Sequence, residues 1–448
     1  MAECLLINPQ MPFHAPKEDS WIRLGLAHLA TMLSLENADR VSLIDFRNLM
    51  GWWHFQIELN KIKPDFVFIS AFTAECKEAI KAARIIRAQF PDAKITVGGI
   101  HASIAPEDYQ RTGYFDYIVR GEGELIVPKI AAGLIKPGNY WGEPPDLNNL
   151  PLPMRNLWPD YKERIQHPPP WLPEKPWVDV LNYRGCYGRC RFCSGPGEQN
   201  HFAREVDGKI VSNIRGRSVS KAISELLVLD SDYHFRSIHF SDDQFIMNTK
   251  WTWDFLAQLK EYNLDGRQWW AGSRADVILR NKPLVLEMQK CGMDIMSVGF
   301  ESFSDELLTF WDKGTTAQQN IEAAQFLKEN GIKIFSNTIM GAPRPDGKWH
   351  KEDDLKTIEI LKKMKPDFLS WSIFTAVPGS ELYQWCVDRD LVSPDMNWGY
   401  RFPNEDKIKG ISCREVQKMM DDLPGVHVNI IRKALRKGHA IARSVVGL

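Results

Sequence analysis

Along residues 1–135, hydrophobic positions fall into two alternating patterns. Short apolar runs rich in β-branched residues, Cys4–Ile7, Val41–Ile44, Phe66–Ile69, Ile95–Val97 and Tyr117–Val119, read as buried parallel strands. Between them, Leu24–Leu35 and Glu75–Gln89 place apolar residues at helical spacing. Strands joined in this way take right-handed crossovers and predict a doubly wound sheet, with a flavodoxin-like order as the economical choice. The pattern lapses over 137–176, where eleven prolines occur, Pro168-Pro169-Pro170 among them. Proline removes backbone donors and disfavours helix at the residue before it, so an extended linker is expected there.

The alternation restarts near Asp179. Val178–Asn182, Ser237–Phe240, Gln268–Ala271, Met296–Phe300, Lys333–Ile339 and Phe368–Phe374 read as strands. Ser220–Leu229, Trp251–Tyr262, Lys282–Lys290, Ala317–Asn330 and Lys351–Lys363 read as the helices between them. Six such units predict a partial parallel barrel with its working residues at the C-terminal strand ends. After Val392 the chain reads as irregular and then helical. Val426–Val445 carries Arg432, Lys433, Arg436, Lys437 and Arg443, the composition of a solvated helix face. The expected domains are thus 1–136, a linker over 137–177, a barrel over 178–391 and a helical cap over 392–448.

A length of 448 residues suits two or three domains, and 44% hydrophobic residues suit a sizeable core. The net charge of −1 gives no basic excess for a polyanion, so no nucleic-acid partner is expected. The N-terminus shows no basic segment followed by a long apolar one, and no run approaches the roughly 18–20 residues of a membrane span. A cytoplasmic protein with reduced thiols is expected. Sixteen tryptophans suit an aromatic core and pocket walls. Trp269, Trp270 and Trp371 leave open whether they are core or line a site for a flat or lipidic substrate.

Three of the eight cysteines cluster in Tyr183-Arg-Gly-Cys186-Tyr-Gly-Arg-Cys190-Arg-Phe-Cys193. Iron–sulfur clusters usually take four cysteine ligands. Three thiolates on one loop therefore suit three irons of a cubane, with the fourth iron left open to another ligand. Zinc is the rival, but structural zinc takes four closed ligands, commonly as paired cysteines. No second pair exists, and His201 lacks a diagnostic spacing.

This C-x3-C-x-aromatic-C segment, with Phe192 as the aromatic, resembles the signature of the radical S-adenosylmethionine (SAM) superfamily. The resemblance covers roughly Val178–Glu381. It implies a [4Fe–4S] cluster held by Cys186, Cys190 and Cys193, with SAM bound through its amino and carboxylate groups on the open iron. Reductive cleavage would then yield a 5′-deoxyadenosyl radical. Further segments are similar to those of the family, in order. His239-Phe-Ser-Asp-Asp-Gln-Phe245 implies Asp242 and Asp243 near the SAM amine. Ala271-Gly-Ser-Arg-Ala-Asp276 implies Ser273 and Arg274 at the mouth, the arginine suited to clamping a carboxylate. Ser297-Val-Gly-Phe-Glu-Ser302 implies SAM contacts by Glu301 and Ser302. Asn337-Thr-Ile-Met-Gly-Ala-Pro343 implies Asn337 and Gly341 beside the adenine, the glycine admitting close approach of backbone.

The first domain resembles the cobalamin-binding domain joined to many of these enzymes. Ser70-Ala-Phe-Thr73 and Gly98-Gly-Ile-His-Ala102 carry the likeness, with Arg120-Gly-Glu-Gly-Glu124 as a third segment. Ser70, Thr73, Gly98, Gly99 and Gly121 are the implied contacts. Phe72 stands where the family has leucine. The D-x-H-x-x-G motif that supplies a lower cobalt ligand is absent, and His14 is a weak substitute because its spacing differs.

The fold class implied is α/β: a flavodoxin-like, Rossmann-type cobalamin-binding domain, a partial (β/α)6 radical SAM barrel and a short helical C-terminal region. The resemblance implies methylation of an unactivated carbon on a small molecule or peptide, with a flavodoxin- or ferredoxin-type reductant. Radical cyclisation, rearrangement or oxidation with the same cofactors is the alternative, and a non-catalytic binding module is a third. No catalytic side chain is identified from the sequence.

Overall fold

The computed structural model describes residues 2–10, 20–36, 40–195, 204–206, 209–211, 214–392 and 406–421. His14, His201 and the basic segment Val426–Val445 lie outside them. Contacts divide the chain into two compact units. The first comprises Met1–Pro168, Cys193–Tyr233 and Val377–Gln384; the second comprises Pro169–Phe192, His234–Ala376 and Trp385–Leu448.

The first unit holds a parallel sheet of β1 (Glu3–Asn8), β2 (Arg40–Asp45), β3 (Phe66–Ser70), β4 (Lys94–Gly98), β5 (Tyr117–Gly121) and β6 (Gly138–Gly142) in the order β2-β1-β3-β4-β5-β6. The first five strands have the expected flavodoxin-like order. Leu5, Ile7, Val67, Ile69, Ile95 and Val97 pack against Phe55 and Leu59 of the helix Trp52–Ile62 and Ala79, Ala83 and Ile86 of the helix Cys76–Gln89. Each large aliphatic chain buried this way is worth about 1.5–3 kcal/mol.

The sixth strand corrects the expected linker. Gly-Asn-Tyr-Trp-Gly has no apolar run, and this edge strand is buried only in part. Its Gly142 lies so close to β5's exit that a Cβ there would sit 1.7 Å from the Glu122 carbonyl oxygen. The remaining Pro-rich stretch also packs on this unit. Trp158 is buried and donates its indole N–H to Asp45 Oδ2 at 2.9 Å. Arg155 and Arg217 both pair with buried Glu225 and hold its carboxyl down at about 2, against the opposing cost of its burial. The division between the units falls inside the triple proline, after Pro168.

In the second unit, β7 (Trp177–Val180), β8 (Ser237–Phe240), β9 (Gln268–Ser273), β10 (Met293–Glu301), β11 (Lys333–Met340) and β12 (Phe368–Ile373) pair consecutively and in parallel. The expected partial barrel is therefore an open six-stranded sheet. Two of its helices start on side-chain caps: Asn248 accepts from the Trp251 N–H, and Thr316 and Gln319 form a capping box.

Strand alternation sorts the aromatics. Phe240 and Trp269 meet edge-to-face at 5.3 Å and pack with Phe245, while Phe240 also meets Phe255 of the helix Thr249–Glu261. Their sequence neighbours His239 and Trp270 therefore face away from that helix, stacked with ring centroids 3.9 Å apart. Burial pulls the His239 imidazole down to about 3, so it is neutral. Trp269 is thus core, whereas Trp270 is half-buried on the other face of the sheet.

Candidate functional site

The cysteine loop leaves the end of β7 and is fixed at both ends. The Asp242 carboxylate accepts the backbone N–H groups of Asn182 (2.9 Å) and Tyr183. Asp242 was expected beside the SAM amine; its Oδ1 instead holds the corner where the strand becomes the loop. At the other end, Arg191 donates its backbone N–H to the Trp311 carbonyl at 2.8 Å and Nη1 to the Phe310 carbonyl at 2.9 Å. Phe192 packs edge-to-face on Trp311 at 5.4 Å, so this aromatic anchors the loop.

Asp243 differs from its neighbour. It is exposed on one side, and the protein around it pushes its carboxyl above the ordinary range. Its charge also opposes ionisation of Cys186, whose thiol is pushed up chiefly by burial. Asp243 is therefore the carboxylate available to an amine.

None of the three loop cysteines is in a disulfide. The Gly188 N–H donates to Cys186 Sγ at 3.4 Å, and the Gly195 N–H to Cys193 Sγ at 3.4 Å. The five other cysteines are buried elsewhere. Cys190 is buried, Cys186 half-buried and Cys193 exposed, and with amide donors on two of the sulfurs this donor set fits a cubane held by three cysteines.

The next loop is tied to this one through Gln244, which the sequence reading passed over. Its buried amide donates to Ser273 Oγ at 2.9 Å and accepts from the Arg274 N–H at 3.0 Å. The Arg274 guanidinium was expected to clamp a carboxylate of SAM. Instead Nε donates to Asp276 at 2.9 Å, Nη2 donates to the Lys313 carbonyl, and Nη1 lies 3.6 Å from Cys190 Sγ.

Glu301 ends β10 at φ +63°, a left-handed conformation that a non-glycine residue adopts at a cost of order 1–3 kcal/mol. The β10–β11 register shifts between Gly299 and Glu301. Bulges of this kind re-aim side chains next to active sites. Here the carboxylate meets Lys313 Nζ at 3.2 Å. Gly299 makes this possible, since a Cβ there would lie 2.6 Å from Glu301 Oε1. Lys313 is a second residue the sequence reading missed; a lysine in a loop carries no distinguishing pattern.

Two expected contacts point elsewhere. Ser302 is buried, its Oγ accepting from the Ser304 N–H and lying 3.4 Å from Thr357 Oγ1. Gly341, at φ +66°, donates its N–H to Asp354 at 2.9 Å, and a Cβ on it would lie 2.7 Å from Val416 of the helix Cys413–Asp421. The close approach foreseen for adenine is taken by this helix. Asn337 does lie at the sheet, donating to Ser297 Oγ at 2.9 Å.

In the first unit, Ser70 and Gly98 are register partners at the ends of β3 and β4. Gly99 has φ +93°, and a Cβ there would lie 2.7 Å from the Ala71 carbonyl oxygen. The double glycine thus lets the two loops touch. A Cβ on Gly98 would meet the Val119 carbonyl at 3.5 Å, an ordinary van der Waals contact, so a methyl group there fits without a clash. Gly121 donates its N–H to Ser103 Oγ at 2.8 Å, and Thr73 is buried. Phe72 is 54% exposed under the Arg23 guanidinium. Small open strand ends of this kind fit a ligand at the carboxyl edge of a doubly wound sheet, as cobalamin requires.

Cys76, His101 and Asp108 bring possible metal ligands within 4.8 Å of one another. His101 Nε2 is hydrogen-bonded to Asp108 at 3.2 Å, and burial pushes the Cys76 thiol up to about 12. The trio is read as packing plus one hydrogen bond.

Two family models match the chain: the B12 binding domain over residues 17–131 and the radical SAM superfamily over residues 181–355. A protein of Pyrococcus horikoshii described as an uncharacterized methyltransferase is 28% identical over 421 residues, spanning 89% of this chain and 85% of that protein. Anaerobic magnesium-protoporphyrin IX monomethyl ester cyclase of Rubrivivax gelatinosus is 25% identical over 390 residues, spanning 83% and 67%. The radical SAM methyltransferase TsrM from Kitasatospora setae, solved with cobalamin and a [4Fe-4S] cluster, has a TM-score of 0.63 at 16% identity over 87% of this chain and 78% of that one. That likeness is one of fold. No described helix is long and apolar enough to cross a membrane. The chain thus joins a B12-binding domain to a radical SAM domain, and the cofactors of these domains are a [4Fe–4S] cluster, SAM and cobalamin.

Proposed function

We propose that the chain methylates an unactivated carbon of a small molecule or peptide. When bound, the cluster and SAM supply the initiating radical and cobalamin supplies the methyl group. Cys186, Cys190 and Cys193 hold the cluster, and the amide donors at Gly188 and Gly195 offset charge on two of the sulfurs. Asp243 takes the SAM amine, since Asp242 is committed to backbone. Glu301 and Asn337 supply polar contacts to SAM, while Ser70, Thr73, Gly98, Gly99 and Gly121 border the cobalamin tail. Asp242, Gln244, Ser273 and Lys313 keep these groups in place. A flavodoxin- or ferredoxin-type protein is the proposed reductant.

The observation that carries this reading is the disulfide-free three-cysteine loop in a chain that also has a B12-binding domain. Likeness to a methyltransferase favours methyl transfer. Likeness to a cyclase favours the second reading, radical ring closure with the same cofactors. Product analysis separates them. S-adenosylhomocysteine formed together with 5′-deoxyadenosine supports methylation; deoxyadenosine without the homocysteine product supports ring closure or oxidation.

A further inference from the structure

We propose that Arg274 is a positioning and charge-tuning residue of the iron–sulfur cluster: its Nη1 donates to the Cys190 sulfur and raises the cluster's reduction potential. This rests on the cysteine loop holding the cluster.

The guanidinium has little freedom to do anything else. Asp276 takes Nε, the Lys313 carbonyl takes Nη2, and Nη1 lies 3.6 Å from Cys190 Sγ. Gly188 leaves the gap through which it reaches the loop. A Cβ on Gly188 would sit 3.1 Å from Nη1, 3.5 Å from Cys186 Sγ and 3.7 Å from Cys190 Sγ. Nη1 therefore lies beside a point that borders both sulfurs. The fork is planar, and its two other anchors fix the direction of the third.

A cubane held by three thiolates is anionic, and gaining an electron makes it more so. A permanent cation that hydrogen-bonds a ligand sulfur stabilises the reduced form more than the oxidised one, and such bonds are a recognised control of cluster potential. Asp243, whose charge acts on Cys186, works in the opposite direction. Lys313 Nζ is engaged with Glu301, whereas Arg274 Nη1 meets the Cys190 sulfur.

The test uses the full chain, reconstituted anaerobically, as wild type, Arg274→Gln and Arg274→Lys. Iron and sulfide content, SAM affinity and an EPR-monitored redox titration are measured on each. The expected result is a full cluster in both variants. In Arg274→Gln the reduction equilibrium falls about tenfold, which is ~59 mV more negative for a one-electron couple. Arg274→Lys, which keeps charge but loses the fork, shifts the same way by less. Iron-replete Arg274→Gln titrating at the wild-type potential overturns the proposal. If its SAM affinity falls at the same time, the carboxylate-clamp role is restored. Loss of the cluster from either variant also overturns it, because the guanidinium would then govern assembly. A wild type that assembles no cluster would instead sink the underlying reading.

Discussion

The two cofactor regions are built by opposite means. In the second unit, long charged side chains interlock: Asp242 grips two backbone amides, Arg274 spans three partners, and Glu301 meets Lys313 across a glycine. In the first unit the same edge of the sheet is made of glycine, serine and alanine backbone in contact. The difference reflects what each cofactor needs. Iron and a zwitterionic sulfonium ask for thiolates, carboxylates and cations at set positions. A bulky nucleotide tail asks for room, which small residues provide. One region should therefore fail by losing a charge, and the other by gaining a methyl group.

The largest effects belong to the cysteines. Cys186→Ala, Cys190→Ala and Cys193→Ala should each abolish the cluster and SAM cleavage, read by iron, sulfide and 5′-deoxyadenosine. Any one retaining all three would break the comparison at its strongest point. Next comes Gly99→Ala, which meets both a positive φ and the Ala71 backbone. It should destabilise the first unit by about 1–3 kcal/mol and lower corrinoid retention, while Gly98→Ala leaves stability nearly unchanged. Equal thermal shifts for the two would remove the distinction.

Glu301→Ala should weaken SAM binding about tenfold or more, on the scale of about 1.5–3 kcal/mol for a hydrogen bond to a charged group. Ser302→Ala should cost stability alone, about 1 kcal/mol. Calorimetric titration with SAM and thermal melts separate them; matched SAM affinities would end the proposed role of Glu301.

The smallest effect is a pH dependence. Burial raises the Asp354 carboxyl to about 7 in the folded protein, with hydrogen bonds from Trp349 and Gly341 opposing the shift. The unfolded chain ionises near the ordinary value of about 4, so it loses its proton first. Asp354 therefore costs stability progressively as pH rises from about 4 to 7, and not further above that. Asp354→Asn should flatten this slope in melts across that range, and an unchanged slope would contradict it.

Legibility in the sequence followed the same divide. The strands and the thiol loop were readable because apolar runs and cysteine spacing are local signals. The β6 strand was not, because an edge strand with Gly138 and Gly142 at its ends carries no apolar period. Side-chain direction was not readable either. Asp242 and Asp243 are adjacent in a turn, and only the fold shows that one is spent on backbone. The bulge before Glu301 has no signature in Val-Gly-Phe-Glu-Ser, and only the fold shows that Glu301 meets Lys313 while Ser302 accepts from the Ser304 N–H. Gly341 was expected beside the adenine, but its close neighbour comes from residue 416, beyond the reach of any local motif.

The most direct test is anaerobic purification of the full chain, with iron, sulfide, zinc and corrinoid quantified together after reconstitution. One cubane and one corrinoid per chain is the expected outcome. Zinc in place of iron at the cysteine loop, or a chain that retains neither cluster nor corrinoid, would contradict it.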